Sequence, residues 1–176
     1  MKLPPEVLAP IVNRVSLAHQ LRPDIVMCII LQESQCDPFA WRHEEAWYER
    51  NMSHQTRESL SGWTPRQTEL PSLYDEKLQR SCSFGLMQVL GDTARWCAKA
   101  NYPFLTALCD PEIGVEVGCR ILSYYLGLHK DDYQKAVAAY NAGDPNSSAG
   151  KAYAQKIFNR HQKGEHLKYL KGASNG

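Results

Sequence analysis

The sequence predicts a mainly α-helical fold in one domain. Apolar residues recur at helical spacing along most of the chain, whereas strand signals are almost absent. Pro, Gly, Asp and Asn punctuate these segments at intervals that suit helix starts and ends. A chain of 176 residues is long enough to bury one sizeable core.

The first two helices are predicted from their apolar faces and early prolines. One runs from Pro5 to about Gln20, and the next opens at Pro23 and runs to about Ser34. The second holds the longest apolar run of the chain, seven residues that lead almost directly to Glu33 in the last turn. Because burial among apolar groups raises the pKa of a carboxyl, Glu33 is a candidate general acid.

The segment 37–83 breaks this pattern and is predicted to be a long inserted loop or lid. It is rich in charges and Trp, and it is too long to lack structure of its own. We therefore expect short helices inside it, over about Glu44–Asn51 and Leu73–Leu78.

The second half of the chain predicts further helices from caps, prolines and apolar spacing. They cover about 93–100 after the cap Asp92, about 111–129 after Asp110, a stretch from Asp131 or Asp132 to Asn141-Ala142-Gly143, and Ser148–Gln162. Residues 1–163 then form the domain, and 164–176 are expected to be a flexible tail.

Charge and composition exclude several classes of partner. A net charge of +1 gives no electrostatic reason to bind nucleic acid. The apolar run Ile25–Leu31 is far shorter than the roughly 20 residues that span a bilayer. The first residues carry no secretory signal pattern. We expect no membrane insertion, and we expect the protein to be a monomer.

The cysteines and histidines predict neither disulfides nor a metal site. The six cysteines include no CxxC spacing, and without a signal peptide free thiols are expected. His161 and His166 are not spaced i,i+4, and no carboxylate cluster accompanies them in the sequence. We therefore predict no metal and no other cofactor.

Three separated stretches carry the candidate chemistry: Glu33–Ala40 with Glu33-Ser34 and Asp37-Pro38, Ser83–Val89 with Gly85-Leu86-Met87-Gln88, and Ala136–Gly143 with Ala139-Tyr140-Asn141-Ala142-Gly143. Together, in this order, they resemble the lysozyme-like domain of the soluble lytic transglycosylase family, over roughly residues 5–160. The stretch from Ala40 to Glu44 and the stretch around Asp110 are similar to a phage and bacterial branch of that family.

The resemblance implies a helical domain with a glycan-binding cleft and a defined reaction. Such enzymes cleave the β-1,4 bond between N-acetylmuramic acid and N-acetylglucosamine in peptidoglycan. Glu33 matches the catalytic glutamate, which protonates the glycosidic oxygen and then helps the muramoyl C6 hydroxyl attack C1. The product is a 1,6-anhydro sugar, and no cofactor is involved.

The same resemblance assigns substrate contacts to residues of the other two motifs. Gln88, Met87 and Ser83 are expected to line the subsites. Tyr140 is expected to point its hydroxyl toward Glu33 and the sugar, and Asn141 either contacts the sugar or shapes the helix end. Gly85 would let the backbone approach the sugar or the helix that carries Glu33.

A second carboxylate would distinguish hydrolysis from the non-hydrolytic reaction. Goose-type lysozymes share the Gly-Leu-Met-Gln motif but carry a water-activating Asp two residues after its Gln, and here that position holds Leu90. Asp92 is predicted to be a helix cap instead. Glu44, Glu45 and Glu69 remain possible second acids, although an Arg42–Glu44 pair is expected to anchor the loop.

The loop tryptophans leave two interpretations open. Trp41, Trp47 and Trp63 either form a lid whose aromatic faces stack on sugar rings or make the loop's own small core.

Two alternatives to the leading function also remain: an inverting lysozyme-type muramidase, and a non-catalytic peptidoglycan-binding part of a phage tail or secretion apparatus. We expect action on the bacterial cell wall, by a phage lysin, a virion-associated protein or an unconventionally exported enzyme.

Overall fold

Helices form most of the chain, as predicted. The computed structural model describes residues 1–56, 58–60, 72–99 and 102–170. Its α-helices are α1 Pro5–Ala18, α2 Pro23–Glu33, α3 Glu45–Trp47, α4 Leu73–Arg80, α5 Gly91–Trp96, α6 Pro111–Leu128, α7 Tyr133–Ala142, α8 Ser148–Gln162 and α9 Leu167–Leu170. A π-helical turn spans Tyr48–Met52 and a 3-10 turn spans Leu105–Cys109. None of the described helices is both long enough and apolar enough to cross a membrane.

Helix α2 lies at the centre of the core. Its residues from Ile25 to Ile30 are completely buried. It packs against α1 on one side and α8 on another, and α8 in turn packs against α7. Because burial of one large apolar side chain stabilises the fold by about 1.5–3 kcal/mol, these contacts hold the helix firmly in the core. The position of Glu33, in its last turn, is fixed accordingly.

Local capping explains why most helix boundaries were predictable. The Asp110 side chain accepts hydrogen bonds from the backbone N–H groups of Glu112 and Ile113, both at 3.0 Å, and Pro111 opens α6. Asp132 caps α7 through the N–H of Lys135 at 3.1 Å. Gly143 ends α7 with a φ of +72°, the left-handed conformation that glycine favours.

Two sequence expectations about the ends of elements are wrong. Asp92 does not cap a helix: α5 begins at Gly91 with Leu90 before it, and the Asp92 carboxylate instead pairs with Arg80 at 3.2 Å. The expected tail is folded as far as residue 170, because α9 forms there and His166 is buried. Residues 171–176 of that tail lie outside the described residues.

A small antiparallel sheet, which the sequence did not predict, ties the two ends of the 37–83 segment together. Its strands are β1 Trp41–His43, β2 Cys82–Phe84 and β3 Val89–Leu90, in the order β1-β2-β3. Between β1 and β2 lie α3, the π-helical turn and α4, so the expected short helices are present with shifted bounds. Trp63 and Glu69 lie outside the described residues.

A buried ion network joins α4 to α5. The Glu76 carboxylate, which is fully buried, accepts from Arg80 Nε at 2.8 Å and from Arg95 Nε and Nη2 at 2.9 Å. All six cysteines are free thiols.

Candidate active site

A cavity of about 520 Å³ opens beside the end of α2. Its wall is built by the end of α2, the small sheet, α3, α5, α6 and the end of α7. The sequence-predicted residues that line it are Glu33, Glu44, Ser83, Gln88, Tyr140 and Asn141. The folding of distant segments thus brings most of the predicted site residues to one cavity.

The environment of Glu33 favours the protonated form of its carboxyl. Burial raises its pKa above the ordinary value, and the nearby charge of Glu44 raises it further. The hydrogen bond from Tyr153 and the positive charge of Arg42 act in the opposite direction without cancelling the effect. The direction of this pKa shift is the one that a general acid requires.

Tyr153 is a site residue that the sequence did not indicate. Its hydroxyl donates a hydrogen bond to Oε1 of Glu33, and only 8% of the residue is exposed. Burial raises the pKa of this phenol well above its ordinary value, and the Glu33 charge adds to the effect. Tyr153 is therefore a neutral donor aimed at the Glu33 carboxyl from α8.

The Tyr140 hydroxyl was expected to point toward Glu33 and the sugar, but its hydrogen-bond partner is another residue. Its hydroxyl donates to the Met87 carbonyl at 2.9 Å, although the residue still lines the cavity. The Met87 side chain is fully buried and so does not line a subsite. It packs tightly on α6, where a Cβ added to Gly118 would lie 2.4 Å from the Met87 Sδ.

The turn between β2 and β3 presents Gln88 to the cavity. The backbone of Gln88 has a φ of +46°, and its side-chain nitrogen donates to Ala40 O at 2.9 Å and Gly85 O at 3.1 Å. These bonds leave the amide oxygen to accept from a ligand. Gly85, with a φ of +73°, lies against the 3-10 turn and is not part of the cavity wall: an added Cβ would lie 2.1 Å from Leu108 O.

Glu44 is held inside the cavity by two partners. Arg42 contacts it through Nη2 at 2.5 Å and Nε at 2.7 Å, which confirms the predicted pair. The Ser83 hydroxyl donates to the same carboxylate oxygen at 3.2 Å. Leu90 lines the cavity at the place where a goose-type enzyme would carry its Asp, whereas Asp92 is engaged with Arg80.

The comparison with known families agrees with this geometry. The family model described as a transglycosylase SLT domain matches residues 10–162. The chain belongs to this family. Members of the family are peptidoglycan lytic transglycosylases that act on the cell wall. No curated protein and no solved structure gave a match.

Aromatic residues line the cavity of this SLT domain, but they are not all the ones expected. Trp47, Trp96 and Tyr125 contribute to the wall, and neither Trp96 nor Tyr125 was predicted as a site residue. Trp47 Nε1 is buried and has no partner among the described residues. Trp41 is 66% exposed and is not part of the cavity wall, so Trp47 is the one described loop tryptophan that lies in this wall.

One cluster of possible metal ligands lies away from the SLT cleft. One possible ligand atom each of Asp24, His161 and His166 lies within 4.8 Å of the others, and no other such group occurs among the described residues. A single carboxylate, that of Asp24, therefore lies beside the two histidines in space although it is far from them in the sequence.

Proposed function

We propose that this SLT domain is a peptidoglycan lytic transglycosylase in which Glu33 is the sole catalytic carboxylate. The observation that carries the proposal is a Glu33 carboxyl with a raised pKa, hydrogen-bonded by Tyr153 in a cleft whose water-activating position holds Leu90. A cell-wall-degrading lysin of phage origin is the setting that fits the sequence best.

The reaction uses the same carboxyl twice. Protonated Glu33 gives its proton to the glycosidic oxygen as the bond from C1 to that oxygen breaks. The resulting carboxylate is stabilised by the Tyr153 hydroxyl. It then accepts the proton of the muramoyl C6 hydroxyl while that oxygen bonds to C1, so no water is consumed. Between the two steps the 2-acetamido group of the substrate itself stabilises the cationic C1, as in the substrate-assisted exceptions to the two-carboxylate rule.

The cavity wall supplies the contacts that would hold the glycan. The free amide oxygen of Gln88 and the side chain of Asn141 suit the acetamido and hydroxyl groups of the sugars. Trp47, Trp96 and Tyr125 offer aromatic faces to the apolar faces of the sugar rings. Ser83 is a positioning residue, since its hydroxyl is donated to Glu44.

An inverting hydrolase is the second candidate, and Glu44 is the residue that favours it. This carboxylate lines the same cavity, and its charge raises the pKa of Glu33. In such an enzyme Glu44 would act as the base that activates water. Its engagement by Arg42 and Ser83 argues for an anchoring role instead.

Product chemistry on purified sacculi tests both candidates. We expect mass spectrometry to find 1,6-anhydromuropeptides, no product with Glu33→Gln, and the same anhydro product with Glu44→Gln. Glu112→Gln, at an exposed ion pair with Arg14, is the matched control and should leave activity unchanged. Muropeptides with reducing ends that vanish in Glu44→Gln would establish the hydrolase, and binding to sacculi without cleavage would establish a non-catalytic module.

A further inference from the structure

A polar pocket of about 210 Å³ lies directly beside the active-site cavity. Arg50 lines both spaces. At the start of α5 two successive residues also divide between them, because Thr93 belongs to the cavity wall and Asp92 to the pocket wall. A ligand that extends from the cavity past Arg50 therefore enters this pocket.

The backbone that carries Arg50 has an unusual conformation. Helix α3 continues directly into the π-helical turn, in which the Ser53 N–H donates to Tyr48 O, five residues back, at 2.9 Å. The side-chain nitrogen of Asn51 donates to Trp47 O at 3.2 Å and so satisfies a carbonyl where the two helical forms meet. Single π-helical turns of this kind occur frequently at functional sites. This one sets Arg50 at the boundary between the cavity and the pocket.

Arg50 is the one charged residue of the described cavity wall whose charge is not compensated nearby. Glu44 is paired with Arg42, and the environment of Glu33 favours its uncharged form. The Arg50 side chain is exposed, and it forms neither an ion pair nor a hydrogen bond in the described part of the chain. The cavity therefore offers a positive charge to an anionic group of its ligand.

The pocket beyond Arg50 adds no further net charge. Arg80 and Asp92, which also line it, pair with each other at 3.2 Å. The other polar residues of its wall are Asn51, His54, Gln55 and Ser59. A negatively charged group in this region would therefore pair with the Arg50 guanidinium.

The wall of the pocket suits a peptide better than a sugar. It contains no Trp, Tyr or Phe among the described residues, whereas Trp47, Trp96 and Tyr125 give the cavity aromatic faces for sugar rings. Because the Asn51 nitrogen is bonded to a carbonyl, its amide oxygen is left to accept from a peptide N–H. The pocket is also smaller than the about 300–1,000 Å³ of pockets that take a whole ligand, so it fits one branch of a larger one.

We propose that Arg50 and this pocket form a subsite for the peptide stem of peptidoglycan, in which Arg50 pairs with a carboxylate of that peptide. The inference rests on the proposed function, because the adjoining cavity has to hold the glycan. A muramoyl residue carries on its lactyl group a short peptide with amide groups and free carboxylates. The subsite would therefore make the protein prefer strands that still carry their peptides.

Equilibrium binding by the Glu33→Gln protein tests the subsite without turnover. The ligands are soluble, uncrosslinked peptidoglycan strands, either unmodified or with their peptide carboxylates converted to amides by a carbodiimide and ammonia. Isothermal titration calorimetry measures the two Kd values. We expect amidation to raise the Kd about tenfold, because the charge-assisted hydrogen bonds to Arg50 are lost.

Substitution of Arg50 in the same background identifies the residue responsible. Arg50→Gln should bind unmodified strands about tenfold more weakly and should no longer distinguish them from amidated strands. Arg50→Lys keeps the charge and should keep part of the difference. Arg14→Gln removes an exposed cation that lines neither space, and this matched control should respond to amidation as its parent does. Equal affinity of the parent for the two ligands, or a difference that persists in Arg50→Gln, overturns the role of Arg50.

Strands stripped of their peptides by an amidase test the pocket itself. They should bind more weakly than unmodified strands, and His54→Ala, in the pocket wall, should reduce this difference. Equal binding of stripped and unmodified strands overturns the subsite, and a difference unchanged in His54→Ala places the peptide outside the pocket. The proposed function is decided separately by the products. Anhydro products without these binding differences would remove the subsite alone, whereas the binding differences without cleavage would remove the transglycosylase alone.

Discussion

The Tyr153 hydroxyl donates a hydrogen bond to the Glu33 carboxyl across 120 positions of sequence. Because α8 packs directly on α2, this contact rests on two helices of the core and not on a loop. It stabilises the ionised form of Glu33, whereas burial disfavours that form. The pKa of the acid is therefore set by a balance that single substitutions can shift.

Removal of the Tyr153 hydroxyl should raise the pKa of Glu33 further. The alkaline limb of the pH–activity profile reports loss of the acid's proton, so in Tyr153→Phe this limb should move to higher pH. Activity at the optimum should fall by about tenfold, since the carboxylate formed in the reaction loses a donor. Tyr140→Phe is the matched control, because that hydroxyl donates to Met87 O, and its limb should stay in place. An equal shift in both variants would contradict this assignment.

Glu33→Gln should stabilise the fold in a pH-dependent way. With a pKa above its ordinary 4.5, Glu33 contributes stability that is fully present below its unfolded pKa and is lost as pH rises through the folded value. A glutamine side chain carries no charge, so the variant does not lose stability in this way as pH rises. Its amide oxygen can still accept the hydrogen bond from the Tyr153 hydroxyl. The melting temperature of the variant relative to wild type should therefore be higher at about pH 8 than at about pH 4. A difference that stays flat between the two pH values for Glu33→Gln would count against the raised pKa of Glu33.

Leu90→Asp should introduce hydrolysis into the cleft. It places a carboxylate at the cavity wall where goose-type lysozymes activate water. Muropeptides with reducing ends should then appear beside the anhydro products in the mass-spectrometric digest. Leu90→Asn, which has the same shape but is a poor base, should not produce them. Identical product ratios in the two variants would show that water does not reach the reacting carbon from this side.

Loss of the buried charge at Glu76 should be severe. Glu76→Gln leaves Arg80 and Arg95 facing a neutral, fully buried amide, which should cost about 3–5 kcal/mol in the free energy of unfolding. The surface pair of Arg14 and Glu112 provides the comparison, and Glu112→Gln should cost less than about 1 kcal/mol. Urea denaturation measures both, and similar costs for the two variants would contradict the importance of burial.

Gly85→Ala should destabilise the turn that presents Gln88. The backbone φ of +73° disfavours a side chain, and the new Cβ would collide with Leu108 O. We expect a loss of more than about 2 kcal/mol in the free energy of unfolding. Gly127→Ala, in α6 with open space around it, should instead stabilise by about 0.5–1 kcal/mol. If Gly85→Ala is as stable as the wild type, the turn between β2 and β3 can move away from the 3-10 turn at Leu105–Cys109.

The helices were predictable because their signals are local. Asp110 with Pro111, and Asp132 with Gly143, mark the ends of α6 and α7 within a few residues of sequence. The small sheet was not predictable in this way. Strand β1 is three residues long and pairs with β2 about 40 positions away, so no run of alternating residues announces it.

The residues of the candidate site also differ in whether a local sequence signal reveals them. Glu33, Gln88 and Tyr140 could be named because they belong to motifs that the sequence displays. Tyr153 could not, because an aromatic residue on the apolar face of α8 is typical of a core position. Only the packing of α8 on α2 shows that its hydroxyl meets a carboxyl. The sequence did offer one hint. Tyr153 lies one helical turn before Ile157 on the apolar face, and a buried Tyr hydroxyl needs a hydrogen-bond partner.

Two successive carbonyls of one turn are each held by a different helix. The Ser34 hydroxyl, at the end of α2, donates to Leu86 O at 2.9 Å, and the Tyr140 hydroxyl, in α7, donates to Met87 O at the same distance. The spacing between the two helices is therefore transmitted through main-chain atoms, which are the same whatever side chains follow. Evolution could consequently exchange the exposed residues of the cleft, and retune which cell walls are cut, without realigning the acid.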